Sequence, residues 1–273
     1  MIPREHITEW RAVAPWNDML MVEQDLIICR ALVAIYSDDF LASRLAFRGG
    51  TALHKLYLSP QPRYSEDIDL VQIHAENVGV ILDRLREVLS FLGKPTIKQK
   101  KSNNTMIFRV DSTFPPIVPI RLKVEINCKE HFSVLGFTKI PFEVKNQWFT
   151  GVCEITTYQL DELIGTKLRA LYQRKKGRDL FDMYKALESK NLNVENVIKC
   201  YHEYISFSDG ELPSKAVYLA NMNAKMNEEV FLSDIQALLR PTMGFDAHEA
   251  YEVIKRELIE SEFFQQTKGK NTH

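Results

Sequence analysis

The stretch LAFRGGTALHKLYL, residues 45–58, joins a short apolar run to a glycine pair and a helical pattern. The apolar run predicts a strand, Gly49-Gly50 a tight turn, and the residues from Thr51 to Leu58 a helix capped by Thr51. The glycines let backbone approach a phosphate closely, and a helix start offers N–H groups to an anion. This stretch therefore predicts a phosphate-binding turn between a strand and a helix.

Two aspartates follow shortly afterwards in the stretch RYSEDIDL, residues 63–70. Side chains alternate between the two faces of a strand, so Asp67 and Asp69 point the same way while Ile68 and Leu70 point into the core. Like charges this close repel one another, and a divalent cation makes the arrangement favourable. Ligands that are all oxygens indicate Mg²⁺ or Mn²⁺. With the glycine turn, the aspartates predict a site for a metal-chelated nucleotide, whereas each feature alone is more often structural.

A third acid lies on a strand predicted at residues 120–127, where apolar and polar residues alternate. Glu125 is on the polar face of this strand. It could bind a second metal ion or act as the base that deprotonates an attacking hydroxyl. The alternative is an antiparallel strand whose wet face is simply ion-paired.

The second half of the chain changes to a helical pattern and contains an inward-pointing lysine. On a helix predicted at residues 157–174, Lys167 falls within the apolar stripe formed by residues such as Leu163, Leu168 and Leu171. An inward ammonium needs a partner. Lys167 could neutralise phosphate charge, or it could be a snorkelling lysine paired with a nearby acid.

Basic residues cluster just after this helix and are followed by two acids. Arg174 and Arg178 belong to this basic segment, which could hold a triphosphate or an RNA backbone. The alternative is an ordinary solvated charge run, in which Arg178 pairs with Asp182 one helical turn away and Asp179 favours a helix start. The basic segment consists of Arg169, Arg174, Lys175, Lys176 and Arg178.

Composition limits the class of protein. The chain has 273 residues, 45% of them hydrophobic, with 35 lysines and arginines against 36 acids, so its net charge is −1. This balance excludes a generally polycationic protein, and any contact with nucleic acid must come from a local patch. The four cysteines form no C-x-x-C pair, which argues against a zinc ribbon or disulfide framework. No apolar segment is long enough for a membrane span, so we expect no membrane partner and a cytoplasmic protein.

The order of elements predicts an α/β (α+β) fold in two domains. The first half mixes helices predicted at residues 20–35 and 78–92 with strands predicted at 67–71 and 105–110. We expect an α/β domain over residues 1–150 and a helical domain over residues 151–273, with Pro141 and Gly151 marking the change. The predicted helical segments of the second half are residues 157–174, 179–188, 194–205, 214–230 and 246–263.

Four of these motifs occur in an order that resembles the nucleotidyltransferase family typified by the AbiEii toxins, relatives of the MenT toxins of type IV toxin–antitoxin systems. The first motif is the pair of stretches FRGGTAL (47–53) and RYSEDIDL (63–70). The others are KVEIN (123–127), TKLRAL (166–171) and RDLFD (178–182). The resemblance covers about residues 45 to 190.

This resemblance implies a polymerase-β-like nucleotidyltransferase domain followed by a mainly helical domain. It assigns Gly49, Gly50 and Thr51 to the nucleotide triphosphate, and Asp67 and Asp69 to the catalytic metals. By the same resemblance Glu125 is the third acid, Lys167 holds the nucleotide phosphates, and Asp182 completes the site from the helical domain.

The leading hypothesis is therefore a Mg²⁺-dependent transferase that moves a nucleotide monophosphate from an NTP to a hydroxyl acceptor. The resemblance points to RNA, such as a tRNA 3′ end, and to a toxin or phage-defence effector with a cognate antitoxin. Two alternatives remain open: a non-catalytic nucleotide- or RNA-binding module, and a carboxylate-metal nuclease or phosphohydrolase. The Gly-Gly-Thr turn favours transfer, because simple hydrolysis needs no triphosphate cradle.

Overall fold

A computed structural model describes residues 2–100, 102–189 and 192–265 and divides the chain into two compact units. The first unit is Met1–Tyr158 together with the short segment Leu238–Thr242. The second unit is Gln159–Ala237 with Met243–His273. The assignment of residues 1–150 and 151–273 to two functional domains stays a prediction.

The first unit contains a mixed sheet, which has seven strands in the described part of the chain. Across the sheet the strands run in the order β3-β4-β5-β2-β1-β7-β6. Strand β2 lies in the middle, antiparallel to β1 and parallel to β5. In chain order the strands are β1 (Leu45–Arg48), β2 (Asp67–Gln72), β3 (Thr96–Gln99), β4 (Asn103–Asp111), β5 (Pro119–Asn127), β6 (Phe137–Lys145) and β7 (Thr150–Tyr158).

The strands predicted on either side of the glycine turn are confirmed, but β3, β6 and β7 were not predicted. Pro141 and Gly151 indicated a change of domain, whereas both lie within strands, β6 and β7 respectively. Strand β6 is at the edge of the sheet, where the missing N–H of a proline is tolerated. A proline inside an alternating run is therefore a weaker boundary signal than we expected.

Five α-helices are described in the first unit, and the longest covers one face of the sheet. This helix, α2, begins after Asp18, whose carboxylate accepts from the N–H of Leu20, and it confirms the helix predicted at residues 20–35. Its buried residues join one core with the inward residues of β2, β4 and β5, so the opposite face of these strands is left for polar side chains. The five helices are α1 (Arg4–Trp10), α2 (Met19–Tyr36), α3 (Asp39–Ala42), α4 (Gly49–Leu56) and α5 (Val78–Val88).

Helix α4 differs from its prediction in where it begins. It starts at Gly49, two positions before Thr51, and its N-cap residue is Arg48, which makes no side-chain capping hydrogen bond. Thr51 therefore lies within the first turn, and its expected role as a cap is wrong. Its buried hydroxyl contacts the Ser65 hydroxyl at 2.7 Å and donates to the Asp67 carbonyl. Thr51 thus ties the start of α4 to the start of β2.

The described residues of the second unit form helices, and strands are absent from them. Each of the five helical segments predicted in the second half contains a helix. Helix α6 ends at Gln173, and the next residue, Arg174, is extended. The helices are α6 (Leu160–Gln173), α7 (Gly177–Glu188), α8 (Val194–Asp209), α9 (Lys215–Met226), α10 (Glu229–Ser233) and α11 (Ala247–Ile254), which continues as a π-helical turn over Lys255–Ile259.

Two chain-wide expectations also bear on the class of protein. All four cysteines are free thiols, with Cys29 and Cys200 buried. Within the described ranges, none of the helices combines the length and the apolar character needed to traverse a lipid bilayer.

Candidate active site

The glycine turn and the aspartates meet where β1 passes into α4. Strand β1 pairs with β2 so that Arg48 lies opposite Asp69. Gly49 follows with a φ of +82°, in the left-handed region that favours glycine. A Cβ at this position would lie 2.4 Å from the Oδ2 atom of Asp69. The turn therefore requires glycine for its backbone conformation and for the closeness of the Asp69 carboxylate.

The three predicted acids occupy neighbouring positions on one face of the sheet. Asp69 on β2 is paired in register with Glu125 on β5, and Asp67 is paired with Lys123. The Lys123 ammonium lies 2.9 Å from Asp67 and 3.5 Å from Glu125. The Asn103 amide donates to Glu125 at 3.2 Å. The pairing of β2 with β5 therefore brings three carboxylates and one ammonium together at the centre of the sheet.

The electrostatics of this face favour an added cation. Desolvation, followed by the negative charge of Asp67, raises the pKa of Asp69 above its ordinary value, and the charges of Lys123 and Arg48 only partly offset this. Partial burial by itself would lower the pKa of Lys123, but the neighbouring carboxylates raise this pKa by more. Asp69 is thus a desolvated carboxylate next to a second carboxylate, an arrangement that a bound cation stabilises.

The donor set fits a magnesium ion that is shared with a substrate. Among the described residues, no three His, Cys, Asp or Glu side chains form a group that could hold a metal ion by themselves. Mg²⁺ commonly uses one or two carboxylates and completes its shell with water and substrate phosphate oxygens. Asp67 and Asp69 supply such a pair, with side chains that remain partly accessible. The role of Glu125 as a metal ligand stays a prediction.

Sequence reasoning missed two ion pairs that surround the glycine turn. Arg48, directly before it, forms a hydrogen-bonded ion pair with Glu130. On α4 itself, the buried Lys55 ammonium lies 2.8 Å from the carboxylate of Asp25. This carboxylate also accepts a hydrogen bond from the indole N–H of Trp10. Asp25 lies on the apolar face of α2, so the reasoning that identified Lys167 as an inward charge would have found it. Nothing in the local pattern identifies the Arg48 partner.

A distant segment supports the loop that precedes the aspartates. The N–H of Tyr64 donates to the Leu238 carbonyl at 2.8 Å. Arg240 makes two further hydrogen bonds to this loop. Its backbone N–H donates to the Pro62 carbonyl and its guanidinium donates to the Gln61 carbonyl, both at 3.0 Å. The short segment Leu238–Thr242 therefore belongs to the first unit and holds the entry to β2.

The predicted lysine of the second unit is buried in an ionic cluster. The Lys167 ammonium lies 2.9 Å from Asp179 and 2.7 Å from Asp182, both of which are fully buried. Arg174 adds a bidentate contact to Asp179, at 2.7 and 2.8 Å. Burial alone would raise the pKa of Asp179, but Lys167 and Arg174 hold it below its ordinary value. The paired lysine is thus the alternative that the structure displays, and phosphate binding by Lys167 stays a prediction.

Most of the predicted basic segment is also ion-paired. Lys175 contacts Glu228 at 2.6 Å, while Lys176 and Arg178 both approach Asp234, at 3.5 and 3.8 Å. Arg178 contacts Asp234, and its pairing with Asp182 one helical turn away stays a prediction. These acids reduce the positive potential of the segment. Its part in holding a triphosphate or RNA, including that of Arg174 and Arg178, stays a prediction.

Comparison with known proteins identifies a matching family and similar folds. The profile of the family described as "Nucleotidyl transferase AbiEii toxin, Type IV TA system" matches residues 30–257. The structure of MenT4, a nucleotidyltransferase toxin from Mycobacterium tuberculosis H37Rv, is similar with a TM-score of 0.68 at 16% identity, covering 98% of this chain and 91% of that one. A putative nucleotidyltransferase from H. pylori has a TM-score of 0.50 at 18% identity, covering 91% and 98%. No curated protein matches the chain in sequence.

The class is that of a nucleotidyltransferase, and the chain is therefore an enzyme. More particularly, it belongs to the AbiEii family of nucleotidyltransferase toxins from type IV toxin–antitoxin systems, because the family profile spans well over half of its length. The predicted α/β nucleotidyltransferase fold and the resemblance to this family are confirmed. Membership implies a nucleotide substrate and a cognate antitoxin.

Proposed function

We propose that this enzyme transfers a nucleotide monophosphate from an NTP to a hydroxyl group of RNA, with Mg²⁺ or Mn²⁺ as its cofactor. The observation that carries the proposal is the close approach of the Asp69 carboxylate to the Gly49 backbone, beside Asp67. A carboxylate pair next to a turn that accommodates phosphate suits a metal-bound triphosphate. A tRNA 3′ end is the acceptor that the family resemblance favours.

The proposed reaction joins the acceptor oxygen to the α-phosphorus. The bond from the α-phosphorus to the β-phosphate oxygen breaks, and pyrophosphate leaves. The hydroxyl proton passes to a carboxylate oxygen of the Asp69–Glu125 pair. When bound, the divalent ion neutralises charge on the reacting phosphate. Asp67 and Asp69 hold this ion, and the first-turn N–H groups of α4 bind phosphate oxygens, since helix geometry leaves them without intrahelical partners.

Basic residues of the second unit would neutralise the remaining negative charge of the nucleotide phosphates. Lys167 would bind the nucleotide phosphates, and Arg174 and Arg178 would assist it. Asp182 would act on Lys167 as a positioning residue, a role supported by its 2.7 Å contact with the ammonium. Arg174 keeps about half of its side chain exposed while it contacts Asp179, so part of its guanidinium remains accessible.

The test is incorporation of each labelled NTP into total RNA with Mg²⁺, comparing wild type with Asp67→Asn. We expect label in lengthened RNA for wild type and a loss of at least about a hundredfold for the variant, since it removes one electrostatic stabiliser of the reacting charge. Asp83→Asn, an exposed acid of α5, is the matched control and should retain activity. Equal incorporation by wild type and Asp67→Asn would refute the proposal.

The same assay distinguishes the two alternatives. NTP binding without pyrophosphate release would indicate a non-catalytic module, and shortened RNA would indicate a nuclease. Induced expression of wild type and Asp67→Asn in a bacterial host then tests the biological part of the proposal. We propose that the enzyme acts in the cytoplasm as a toxin or phage-defence effector. Growth arrest that depends on Asp67 and is relieved by the antitoxin is the expected result.

A further inference from the structure

The sheet face that carries the carboxylates continues away from them across β5, β4 and β3. Three contacts establish this continuity: Lys123 with Asp67 between β5 and β2, Asn103 with Glu125 between β4 and β5, and Arg109 with Thr96 at 3.2 Å between β4 and β3. We call the strand β3–β5 part of this surface the open face. Its side chains alternate with the core residues of the same strands and are mostly polar, with Ile107 as a buried apolar residue among them.

Three exposed cations occupy the open face. Arg121 lies on β5, two positions before Lys123, which places it about 7 Å away along the strand. Arg109 on β4 is paired in register with Arg121, whereas Lys98 on β3 is paired with the β4 residue four positions before Arg109. All three side chains are exposed, and in the described ranges none of them forms an ion pair. Asp111, at the far end of β4, is an exposed acid on this face.

The Arg109–Arg121 pair is unusual because like charges directly opposite one another destabilise an antiparallel ladder. An anion lying across the two guanidinium groups removes this repulsion. A phosphate group suits them in particular, because each guanidinium presents a planar fork of donors that matches its oxygens. The basic segment of the second unit differs, since Lys175, Lys176 and Arg178 already have acidic partners.

We propose that the open face binds the phosphodiester backbone of the acceptor RNA, with Arg109 and Arg121 as its central contacts. This inference rests on the proposed function and adds the surface by which the acceptor is held. The backbone would cross β3, β4 and β5 and bring a hydroxyl end to Asp67 and Asp69. RNA is favoured over an acidic protein because a transfer acceptor must present both a hydroxyl at the carboxylates and charge along the adjoining strip.

The test is RNA binding by Arg109→Gln/Arg121→Gln, without NTP, over a range of salt concentrations. The probe is a fluorescein-labelled single-stranded oligouridylate of about 20 nucleotides, longer than one domain's usual contact length. We expect the variant to bind at least about tenfold more weakly at low salt. The slope of log affinity against log salt should fall by about 1.4, because each phosphate contact contributes about 0.7 on a single strand.

The matched control is Arg11→Gln/Lys139→Gln, which removes two exposed cations of the first unit outside the open face. It should bind RNA as wild type does, and both double variants should bind NTP normally. Binding by Arg109→Gln/Arg121→Gln that equals the control would overturn the inference, as would a wild type that does not bind the probe. Displacement of the probe by polyglutamate as effectively as by unlabelled RNA would also overturn it, in favour of an acidic protein partner.

Failure of this inference is distinguishable from failure of the proposed function. If Asp67→Asn abolishes transfer while Arg109→Gln/Arg121→Gln binds RNA normally, the transferase proposal stands and the acceptor surface lies elsewhere. If RNA binding depends on the two arginines but transfer does not depend on Asp67, the surface is supported and the transferase proposal fails.

Discussion

The two ionic clusters of the molecule, the carboxylates on the sheet and the group around Lys167, differ in how their negative charge is compensated. On the sheet of the first unit, partly exposed carboxylates lie side by side, and the pKa of Asp69 is raised. In the second unit, Asp179 and Asp182 are fully buried but share Lys167, and the pKa of Asp179 is lowered. The first cluster gains from an added cation, whereas the second already contains its cations. The difference indicates that the first cluster is completed by a bound cation, whereas the acids of the second hold Lys167 in place, as its proposed phosphate contact requires.

The largest expected effect is from Lys167→Met, which tests whether the second cluster is internally compensated. The variant leaves two buried carboxylates without their shared ammonium, and breaking a buried ion pair costs about 3–5 kcal/mol of unfolding free energy. Urea denaturation measures this loss. Lys139→Met, at an exposed position on β6, is the control and should change stability little.

The triple variant Lys167→Met/Asp179→Asn/Asp182→Asn sharpens the comparison, because it removes the uncompensated charges together with the lysine. It should recover part of the lost stability. A Lys167→Met protein as stable as wild type would show that the second cluster resembles the first, with charge available to a ligand.

Gly49→Ala tests the contact that joins the glycine turn to the first cluster. The substitution combines a left-handed backbone, which costs about 1–2 kcal/mol, with a Cβ that would lie 2.4 Å from Asp69. Relief of such crowding costs about 1–3 kcal/mol more. The free energy of unfolding and the transferase activity should both fall.

Gly136→Ala provides the control for backbone strain alone. Its φ is +84°, close to that of Gly49, but no heavy atom lies within 4 Å of the added Cβ. The difference between the two variants therefore measures the crowding of Asp69. Equal losses of stability, with activity retained in both, would mean that the glycine turn does not position the carboxylate.

Arg174→Gln tests the second cluster through its pH dependence. The folded pKa of Asp179 is below its unfolded value, so its stabilisation is present above the unfolded pKa and is lost as pH falls through the folded one. Removing Arg174 should raise the folded pKa of Asp179 toward the unfolded value, so the loss becomes smaller and is complete at a higher pH. It should also cost about 1 kcal/mol at neutral pH, a modest value because the guanidinium is half exposed and screened.

Unfolding free energies measured between about pH 2 and pH 7 check this prediction, since the range spans the ordinary carboxylate pKa. Lys175→Gln, which removes another largely exposed cation, paired with Glu228, is the control and should keep the wild-type profile. Identical acid profiles for Arg174→Gln and wild type would show that Lys167 alone sets the pKa of Asp179.

Local patterns predicted much of the fold and the composition of both clusters. Alternation on β2 and β5 was enough to place Asp67 and Asp69 on one face of β2 and Glu125 on the polar face of β5, because the period of a strand fixes which side chains share a face. Helical periodicity likewise identified Lys167 as an inward charge. Element types followed from the same two periods wherever the apolar pattern was regular.

The sequence did not predict which charged residues form ion pairs, because ion pairing depends on which segments meet in three dimensions. Lys123 lies in the alternating strand predicted at residues 120–127, but its contact with Asp67 requires the parallel pairing of β5 with β2. The partner of Arg48 lies after β5, and no local period connects the two. Strand β6 was missed for a related reason: Pro141 is compatible with a strand only at an edge, and the position of an edge is a property of the whole sheet.

Lys123→Met carries the smallest expected effect and tests whether the first cluster is poised for a cation. The Lys123 ammonium contacts Asp67 and Glu125, so it competes with a divalent ion for the same carboxylates. The pair is about one-third exposed, and contacts of this kind contribute about 0.5–1 kcal/mol, equivalent to roughly a two- to fivefold change in affinity. We therefore expect Lys123→Met to bind Mn²⁺ more tightly, as measured by the signal of free Mn²⁺ in electron paramagnetic resonance. Lys139→Met controls for the loss of one positive charge. Weaker Mn²⁺ binding by Lys123→Met would mean that the ammonium orders the carboxylates for the ion, in which case the first cluster, like the second, depends on an internal cation.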